Sequence, residues 1–249
     1  MQSFRGEPGA YTTYLIPKQL TFDNYVKLFT DRSLFNFPLW YINTLITAIV
    51  VCVVQTVIVL ATSFALSRLR FKGRKGLMNL MLVLGMFPGF MSMTAIYFVL
   101  KEVGLTQSLV GLIIVYVASS ALQYYICKGF FDTIPKSLDE AAKIDGASVH
   151  TIFFKVILPL SKPIIVYTML VAFLMPWGEY MFSSLFMLGD QTKFNVANGL
   201  RQMLQRENIA EYFTRFCAGA VVVSAPVAAF FIWLQKYYVE GVTGGAVKG

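Results

Sequence analysis

Residues 139–159 read DEAAKIDGASVHTIFFKVILP and form the longest polar stretch between two strongly apolar segments. Gly146 lies near its N-terminal third and can adopt the left-handed conformation that ends a helix, where a Cβ would cost about 1–2 kcal/mol. We therefore predict a helix before Gly146 and a second helix after it, which together form an elbow over residues 137–159. Ala141 and Ala142 give the first helix a small-residue face that another surface can approach closely. The alternative interpretation is an ordinary amphipathic loop at a membrane surface.

Both helices of the elbow carry capping signals. Ser137 and Glu140 have the spacing of a capping box, in which a hydroxyl and a carboxylate satisfy free amides at the helix start. Ser148 can cap the second helix through its hydroxyl. Pro159 is expected to end that helix, because proline lacks an N–H and its ring clashes with the preceding turn.

The composition predicts an integral membrane protein. Of 249 residues, 57% are hydrophobic and 14% charged, against about 45–50% and about 25% in soluble domains. The net charge is +8, which in a membrane protein first indicates the cytoplasmic loops. The basic residues form no face on a soluble fold, so we expect no nucleic-acid partner. The three cysteines lie in apolar segments without pairing or metal-ligand spacing, and we interpret them as small hydrophobic residues.

Five apolar segments approach or exceed the length of about 20 residues that a membrane-spanning helix needs. Pro88, Pro176 and Pro226 fall inside three of them, and neighbouring helices in a membrane can satisfy the backbone groups that such prolines free. The sequence therefore predicts an all-α integral membrane fold with kinked helices around a shared path. The segments cover approximately residues 39–66, 77–100, 109–131, 164–188 and 216–237.

A basic loop between the first two segments sets the predicted orientation, because such loops stay in the cytoplasm. Alternation then places the elbow in the cytoplasm and residues 1–36 outside, as an extracytoplasmic N-terminal segment. That segment has no apolar stretch to export it, so we predict a sixth, N-terminal transmembrane helix that precedes Met1. The basic residues of the loop are Arg68, Arg70, Lys72, Arg74 and Lys75.

The elbow resembles the EAA signature of ABC-importer permeases, which reads EAA, three residues, G, nine residues, I, one residue, LP. The chain departs from it only at Val156, where isoleucine is usual. The resemblance implies a type I ABC importer permease fold, in which the elbow docks into a cleft of a cytoplasmic ATPase subunit. Glu140 either makes a charge-assisted contact across that cleft or only caps its own helix. The coupling residues implied are Glu140, Ala141, Ala142, Asp145, Gly146, Leu158 and Pro159.

Two further stretches narrow the resemblance. Residues 68–73, RLRFKG, resemble an R-x-R-F-x-G loop, and residues 241–249, GVTGGAVKG, resemble the family tail G-L-T-A-G-[GA]-V-K-G. From residue 37 onward the chain, as a transmembrane domain over 37–249, is similar to the shorter permease of maltose/maltodextrin-type (MalG-type) carbohydrate importers. In relatives the tail reaches into the ATPase dimer interface, which implies ATPase contacts for Gly244, Gly245 and Lys248.

The resemblance also implies the assembly and its location. The partners are a second, different permease subunit, two cytoplasmic ATP-binding subunits and an extracytoplasmic sugar-binding protein, in a bacterial plasma membrane among its lipids. The chain contains no G-x-x-x-x-G-K-[ST] phosphate loop. We therefore expect a transport subunit that needs no cofactor and is not itself an enzyme, with maltose or maltodextrin as the sugar.

The loop at residues 204–208, hereafter the 204–208 loop, matches in position a family loop that inserts into the binding protein and helps to release the sugar. The alternative is a solvated connection between two helices. Its residues are Leu204, Gln205, Arg206, Glu207 and Asn208.

Glu179 is the only carboxylate well inside an apolar segment, where a charge costs about 2.5–3.5 kcal/mol. It is either a polar contact near the translocation path or a hydrogen-bonded pin between kinked helices. A proton-coupled secondary transporter that uses Glu179 is the alternative function. The single histidine, His150, has no further ligand at metal-binding spacing, so no metal site is expected.

Overall fold

The structure, a computed structural model, describes residues 1–7, 9, 10, 14 and 16–246, with their side chains up to residue 235. Regular structure in these residues is helical, and an isolated β-bridge joins Arg5 to Leu20. The helices are α1 (Asp23–Thr30), α2 (Phe37–Arg68), α3 (Arg74–Met86), α4 (Gly89–Glu102), α5 (Leu109–Ala118), α6 (Ala121–Thr133), α7 (Lys136–Ile144), α8 (Val149–Leu160), α9 (Lys162–Gly178), α10 (Met181–Met187), α11 (Val196–Met203) and α12 (Ile209–Ala246).

Helix α2 buries polar side chains and exposes apolar ones, the reverse of a helix in a soluble protein. Ile46, Val53 and Val57 are 47%, 59% and 62% exposed. Such a surface is favourable against lipid, whereas polar groups in a membrane helix turn toward protein. The buried polar residues of α2 are Asn43, Thr44, Thr47, Gln55, Thr56, Ser63 and Ser67.

The helices provide between two and five candidate spans, against the five expected from the sequence. Helix α2 and residues 209–235 of α12 are each long and apolar enough to cross a membrane. Three bent pairs meet the same test together, namely α3 with α4, α5 with α6, and α8 with α9. Counting each pair as one span gives five candidate spans in the described part of the chain. The predicted fourth segment corresponds to α9 and α10, which Glu179 and Tyr180 separate.

The sequence predicted the break between α3 and α4 but not the bend between α5 and α6. Helix α3 ends at Met86 and α4 begins at Gly89, as Pro88 indicates. The third span bends by 45° between α5 and α6, which no proline explains. There the hydroxyl of Ser119 donates to the Val115 carbonyl at 2.8 Å, and that of Ser120 donates to the Val117 carbonyl at 2.6 Å. Serine hydroxyls that bond back to the preceding turn bend helices.

The chain forms two compact units. The first comprises Met1–Ile49, Ser92–Ile113 and Leu174–Phe230, and its core is rich in aromatic residues around Phe35 and Trp40.

The second unit comprises Val50–Met91, Ile114–Phe173 and Phe231–Gly249, and it contains the elbow. Cys127 packs in its core as a small apolar residue, in line with the interpretation from the sequence. The buried core residues are Val59, Leu60, Phe64, Cys127, Phe131, Ile134, Ile152, Ile157 and Ile164.

Candidate coupling site

The first helix of the elbow begins earlier than predicted. Helix α7 starts at Lys136, and Pro135 occupies the N-cap position without a side-chain hydrogen bond. Ser137 therefore lies inside the first turn, where its hydroxyl cannot cap the helix from outside. The predicted capping box of Ser137 and Glu140 is wrong, because Pro135 already brings the chain into the helix. Glu140 is exposed and thus presents its carboxylate to solvent.

The turn at Gly146 confirms the prediction of a left-handed helix end. Gly146 has φ of +79°. Its N–H donates to the carbonyl of Lys143 at 3.0 Å, and the N–H of Ala147 donates to the carbonyl of Ala142 at 2.8 Å. These two bonds are those of a Schellman motif, which satisfies carbonyls that the helix end leaves free. A Cβ at residue 146 would meet no atom within 4 Å, so only the backbone conformation requires glycine.

The second helix of the elbow starts as predicted and ends differently. Ser148 accepts a hydrogen bond from the Thr151 N–H at 3.2 Å, which confirms the predicted cap. Residues Ile152–Ile157 then form a π-helical turn, and the N–H of Leu158 donates to the Phe153 carbonyl. Pro159 lies within the last segment, which continues to Leu160, so the predicted stop at Pro159 is wrong by one residue.

The motif residues of the elbow divide into an exposed tip and a buried base. The tip carries Ile144, an apolar side chain that is 86% exposed. Ala142 and Leu158 instead pack against the core of the second unit. The two alanines of the signature thus have different surroundings, which their identical side chains cannot indicate. The other exposed members are Glu140, Ala141, Asp145, Gly146 and Pro159.

A buried ion pair fastens the elbow to the end of α2. Arg68 Nε lies 2.8 Å from Asp139 Oδ2, and the two side chains are only 6% and 9% exposed. Arg68 also donates from Nη2 to the Ile134 carbonyl at 2.8 Å. The alignment between Nε and the carboxylate is that of a charge pair rather than a hydrogen bond, and Arg68 Nη1 and Asp139 Oδ1 have no hydrogen-bond partner in the described residues. The sequence does not indicate this pair, because its members lie far apart in the chain.

A second polar contact joins α2 to α6 beside this pair. Ser67 donates to Asp132 Oδ1 at 2.7 Å, and Lys128 Nζ lies 2.5 Å from Asp132 Oδ2. One turn further into the span, Ser63 donates to the Tyr124 carbonyl at 3.1 Å. The base of the elbow is therefore attached to α2 by a charge pair, and α2 is attached to α6 by polar contacts beside it.

The 204–208 loop lies in the first unit, between α11 and α12. Arg206 and Glu207 are exposed at its tip. Asn208 closes the turn, because its side-chain amide donates to the Gln202 carbonyl at 3.0 Å. Leu204 and Gln205 are half-buried at its base. The structure thus presents two charged side chains, held by a short and well-bonded turn.

The segment that leads to this loop is held by α2 through contacts that the sequence did not indicate. The Trp40 indole donates to the Gln191 carbonyl at 2.9 Å, and Asn43 donates to the carbonyls of Thr192 and Phe194 at 3.0 and 3.1 Å. In α11, a Cβ on Gly199 would lie 1.9 Å from the ring of Trp40. Only glycine lets the helix lie this close to the indole.

Glu179 caps a helix. Its two carboxylate oxygens accept the backbone N–H groups of Phe182 at 2.7 Å and Ser183 at 3.0 Å, in the first turn of α10. Its carbonyl accepts from the Asn195 side chain at 2.7 Å. These bonds favour the predicted hydrogen-bonded pin over a contact in the translocation path.

The structure describes only part of the predicted ATPase-contacting tail. Gly244 and Gly245 lie in the last turns of α12, and Lys248 lies outside the described residues. Within those residues, no cluster of histidine, cysteine or carboxylate side chains has the arrangement of a metal site.

Comparison with known proteins identifies the family. The model of binding-protein-dependent transport system inner membrane components matches residues 57–244. The chain is 38% identical over 248 residues to the galactooligosaccharides transport system permease protein GanQ of Bacillus subtilis (strain 168), with 99% of this chain and 87% of GanQ covered. It is 36% identical over 231 residues to the maltodextrin transport system permease protein MalD of Streptococcus pneumoniae (strain ATCC BAA-255 / R6), with 92% of this chain and 81% of MalD covered.

The fold has a counterpart among solved structures. The crystal structure of a bacterial ABC transporter involved in the import of the acidic polysaccharide alginate superimposes with a TM-score of 0.79, at 23% identity, and covers 95% of this chain and 87% of its own. This likeness confirms the predicted ABC importer permease fold. None of these relatives supports the proton-coupled alternative. With the family model spanning the elbow and its core, the chain belongs to the binding-protein-dependent transport system inner membrane components, as a permease subunit in the membrane.

Proposed function

We propose that the chain is one of two different permease subunits of an ATP-driven oligosaccharide importer. Two separate ATP-binding subunits hydrolyse ATP, and an extracytoplasmic binding protein delivers the sugar. The family and the names of the relatives support this assembly. The observation that carries the proposal is the exposed tip of the elbow, where Ile144 stands 86% exposed on a helix whose other side is fixed in a core.

The elbow has the properties of a docking lever. An apolar side chain surrounded by polar ones is the kind of anchor that fills a pocket on a partner. The Schellman turn at Gly146 fixes the angle between the two helices, and the pair of Arg68 and Asp139 fixes α7 to α2. Movement of an ATPase subunit against the tip would therefore be passed to α2 rather than absorbed in a flexible loop.

The other predicted contacts complete the proposal. The 204–208 loop, with Arg206 and Glu207 at its tip, contacts the extracytoplasmic binding protein. Gly244, Gly245 and Lys248 contact the ATPase dimer. Glu140 remains free for a charged contact in the docking cleft, because it caps no helix.

Maltodextrins are the first candidate sugars, because the family resemblance points to them and relatives such as MalD carry that name. Galactooligosaccharides are the second candidate, because GanQ shares 38% of its aligned residues with this chain.

The test is purification of the whole complex from its native membrane in mild detergent, followed by ATPase and uptake assays with each sugar class. Ile144→Asp places a charge at the tip and should reduce the co-purified ATPase about tenfold or more, because it removes a buried anchor of the interface. Val103→Asp is the matched control. Val103 is 62% exposed in the turn after α4, in the first unit, and its substitution should leave ATPase capture unchanged.

Two results would contradict the proposal. One is a chain that purifies alone and moves solute without ATP. The other is an Ile144→Asp variant that retains both its ATPase and its sugar-stimulated activity.

A further inference from the structure

An open groove formed by the loop between α2 and α3, by α3 and by α6 is lined by cations and by apolar side chains. It lies where α2 passes through the loop into α3, in the second unit, and has a volume of about 650 Å³. We call it the basic groove. The residues that matter for its chemistry are Arg70, Arg74, Lys75 and Lys128, with Phe71 and Met78.

Most of the positive charge in the basic groove is not neutralised by the protein. Lys128 pairs with Asp132 at 2.5 Å. Arg74 donates to the Leu69 carbonyl at 3.4 Å and interacts electrostatically with the same Asp132 carboxylate, so that one carboxylate serves two of the four cations. Arg70 and Lys75 are exposed, and neither has a carboxylate within 4.0 Å among the described residues. Two carboxylates line the neighbouring pocket with Arg70 and Arg74: Asp139 is already paired with Arg68, and Glu140 forms no ion pair within 4.0 Å among the described residues. The groove therefore attracts an anion from outside the chain.

The apolar side of the groove restricts what that anion can be. Phe71 is 44% exposed next to the cations, and α3 continues with exposed apolar residues such as Leu77 and Leu80, which are 39% and 54% exposed. The cations thus stand at the level where a polar loop meets an apolar span. A free anion would use only the charged part of this surface, whereas a phospholipid would place its phosphate on the cations and its acyl chains against Phe71 and α3.

We propose that the basic groove binds the headgroup of an anionic phospholipid, with Arg70 and Lys75 as its main charged contacts. Each Lys or Arg near an anionic membrane surface contributes about 1 kcal/mol, or roughly fivefold in affinity. Lipid binding here would attach the loop beside Arg68 to the membrane surface. The proposal needs only the membrane location of the chain, not the identity of its sugar or its ATPase.

The test uses the full-length chain, delipidated in mild detergent and titrated with phosphatidylglycerol or with phosphatidylcholine of the same acyl chains. Native mass spectrometry counts the bound lipid. We expect phosphatidylglycerol to bind about tenfold more tightly than phosphatidylcholine, and added salt to reduce the difference. Arg70→Gln/Lys75→Gln should remove most of the preference. Lys27→Gln/Lys101→Gln removes the same net charge at two exposed lysines outside the groove and should leave the preference intact.

Three outcomes would overturn the proposal. The first is equal binding of the two lipids, or an unchanged preference in Arg70→Gln/Lys75→Gln. The second is competition by inorganic phosphate as effective as that by the phospholipid, which would indicate a site for simple anions. The third is an unchanged lipid preference together with loss of a co-purifying protein in the groove variant, which would make the groove a protein-docking surface.

Discussion

The elbow and the 204–208 loop present two short exposed tips, but the chain supports them by different means. The elbow tip carries the apolar Ile144, and its base is fixed by a buried pair of charges, Arg68 and Asp139. The 204–208 loop carries the charged Arg206 and Glu207, and the segment before it is fixed by neutral side chains that donate to backbone carbonyls.

This difference bears on what each tip can do. Loss of one partner of a buried ion pair is strongly destabilising. The pair therefore ties the position of the elbow to the end of α2. Hydrogen bonds from neutral side chains to carbonyls are each worth only about 0.5–1.5 kcal/mol, and each of them can break and re-form separately. The elbow is thus tied to the end of α2, whereas the 204–208 loop presents a charged surface on a segment held by neutral hydrogen bonds.

The largest expected effect is that of breaking the buried pair. Arg68→Ala should lower the free energy of unfolding by about 3–5 kcal/mol, because it leaves Asp139 charged and buried without a partner. Thermal unfolding in detergent measures the loss. Amide hydrogen exchange should increase first at residues 136–146.

A double variant provides the control for this prediction. In Arg68→Met/Asp139→Leu both charges are replaced by apolar side chains, which is often neutral or stabilising. Stability near wild type together with impaired coupling would separate the mechanical role of the pair from its energetic one. An Arg68→Ala variant as stable as wild type would show that the pair does not fasten the elbow.

The corresponding test in the first unit is steric. Gly199→Ala places a Cβ 1.9 Å from the Trp40 ring and should destabilise the unit by about 1–3 kcal/mol, the usual cost of overpacking. Hydrogen exchange should rise in α11 and in the 204–208 loop while the elbow remains protected. Gly129→Ala, in α6 and without a neighbour within 4 Å, should instead stabilise its helix slightly. Equal behaviour of the two variants would contradict the close packing of α11 on Trp40.

The smallest effect is expected at a half-buried ion pair, which sharpens the contrast with the fully buried one. Arg215 Nη1 lies 2.7 Å from Asp31 Oδ2, in the first unit. Hydrogen bonds from the side chain and backbone of Ser33, together with that from Arg215, lower the pKa of Asp31 from 3.8 to about 2. A lowered pKa stabilises the fold above the unfolded value, and this contribution is lost as the pH falls from about 4 to about 2.

Asp31→Asn should therefore lower the Tm slightly at neutral pH, and the difference from wild type should vanish toward pH 2. Asp23→Asn, which removes a carboxylate of α1 that forms no ion pair within the described residues, is the matched control for the loss of one negative charge. A difference between wild type and Asp31→Asn that stays constant across this range would contradict the assignment.

The sequence predicted the features that depend on neighbouring residues. The left-handed turn at Gly146 and the cap at Ser148 are local signals, and both are present. The start of α7 was placed too late because Pro135 and Ser137 are both acceptable at a helix start, and only the backbone decides between them. The bend at Ser119 and Ser120 was missed because serine bends a helix only when its hydroxyl bonds backwards.

Contacts between distant residues could not be predicted from one sequence. Asp139 reads as a polar residue of an amphipathic helix, and Arg68 reads as one of several cations in a basic loop. Nothing local distinguishes Arg68 from Arg70, although the first is buried and paired and the second is exposed. Similarly, a glycine in α11 gives no sign that an indole from α2 covers it.

The pairing of Arg68 with Asp139 also determines which parts of the chain can be exchanged between related proteins. An elbow transplanted as residues 137–159 alone would bring its aspartate into a host without the arginine that neutralises it, and the graft would bury an unpaired charge. A functional graft therefore needs two separate stretches of sequence, because the elbow must be transplanted together with the end of α2. Recombination and protein engineering alike would have to treat these two distant stretches as one inherited module.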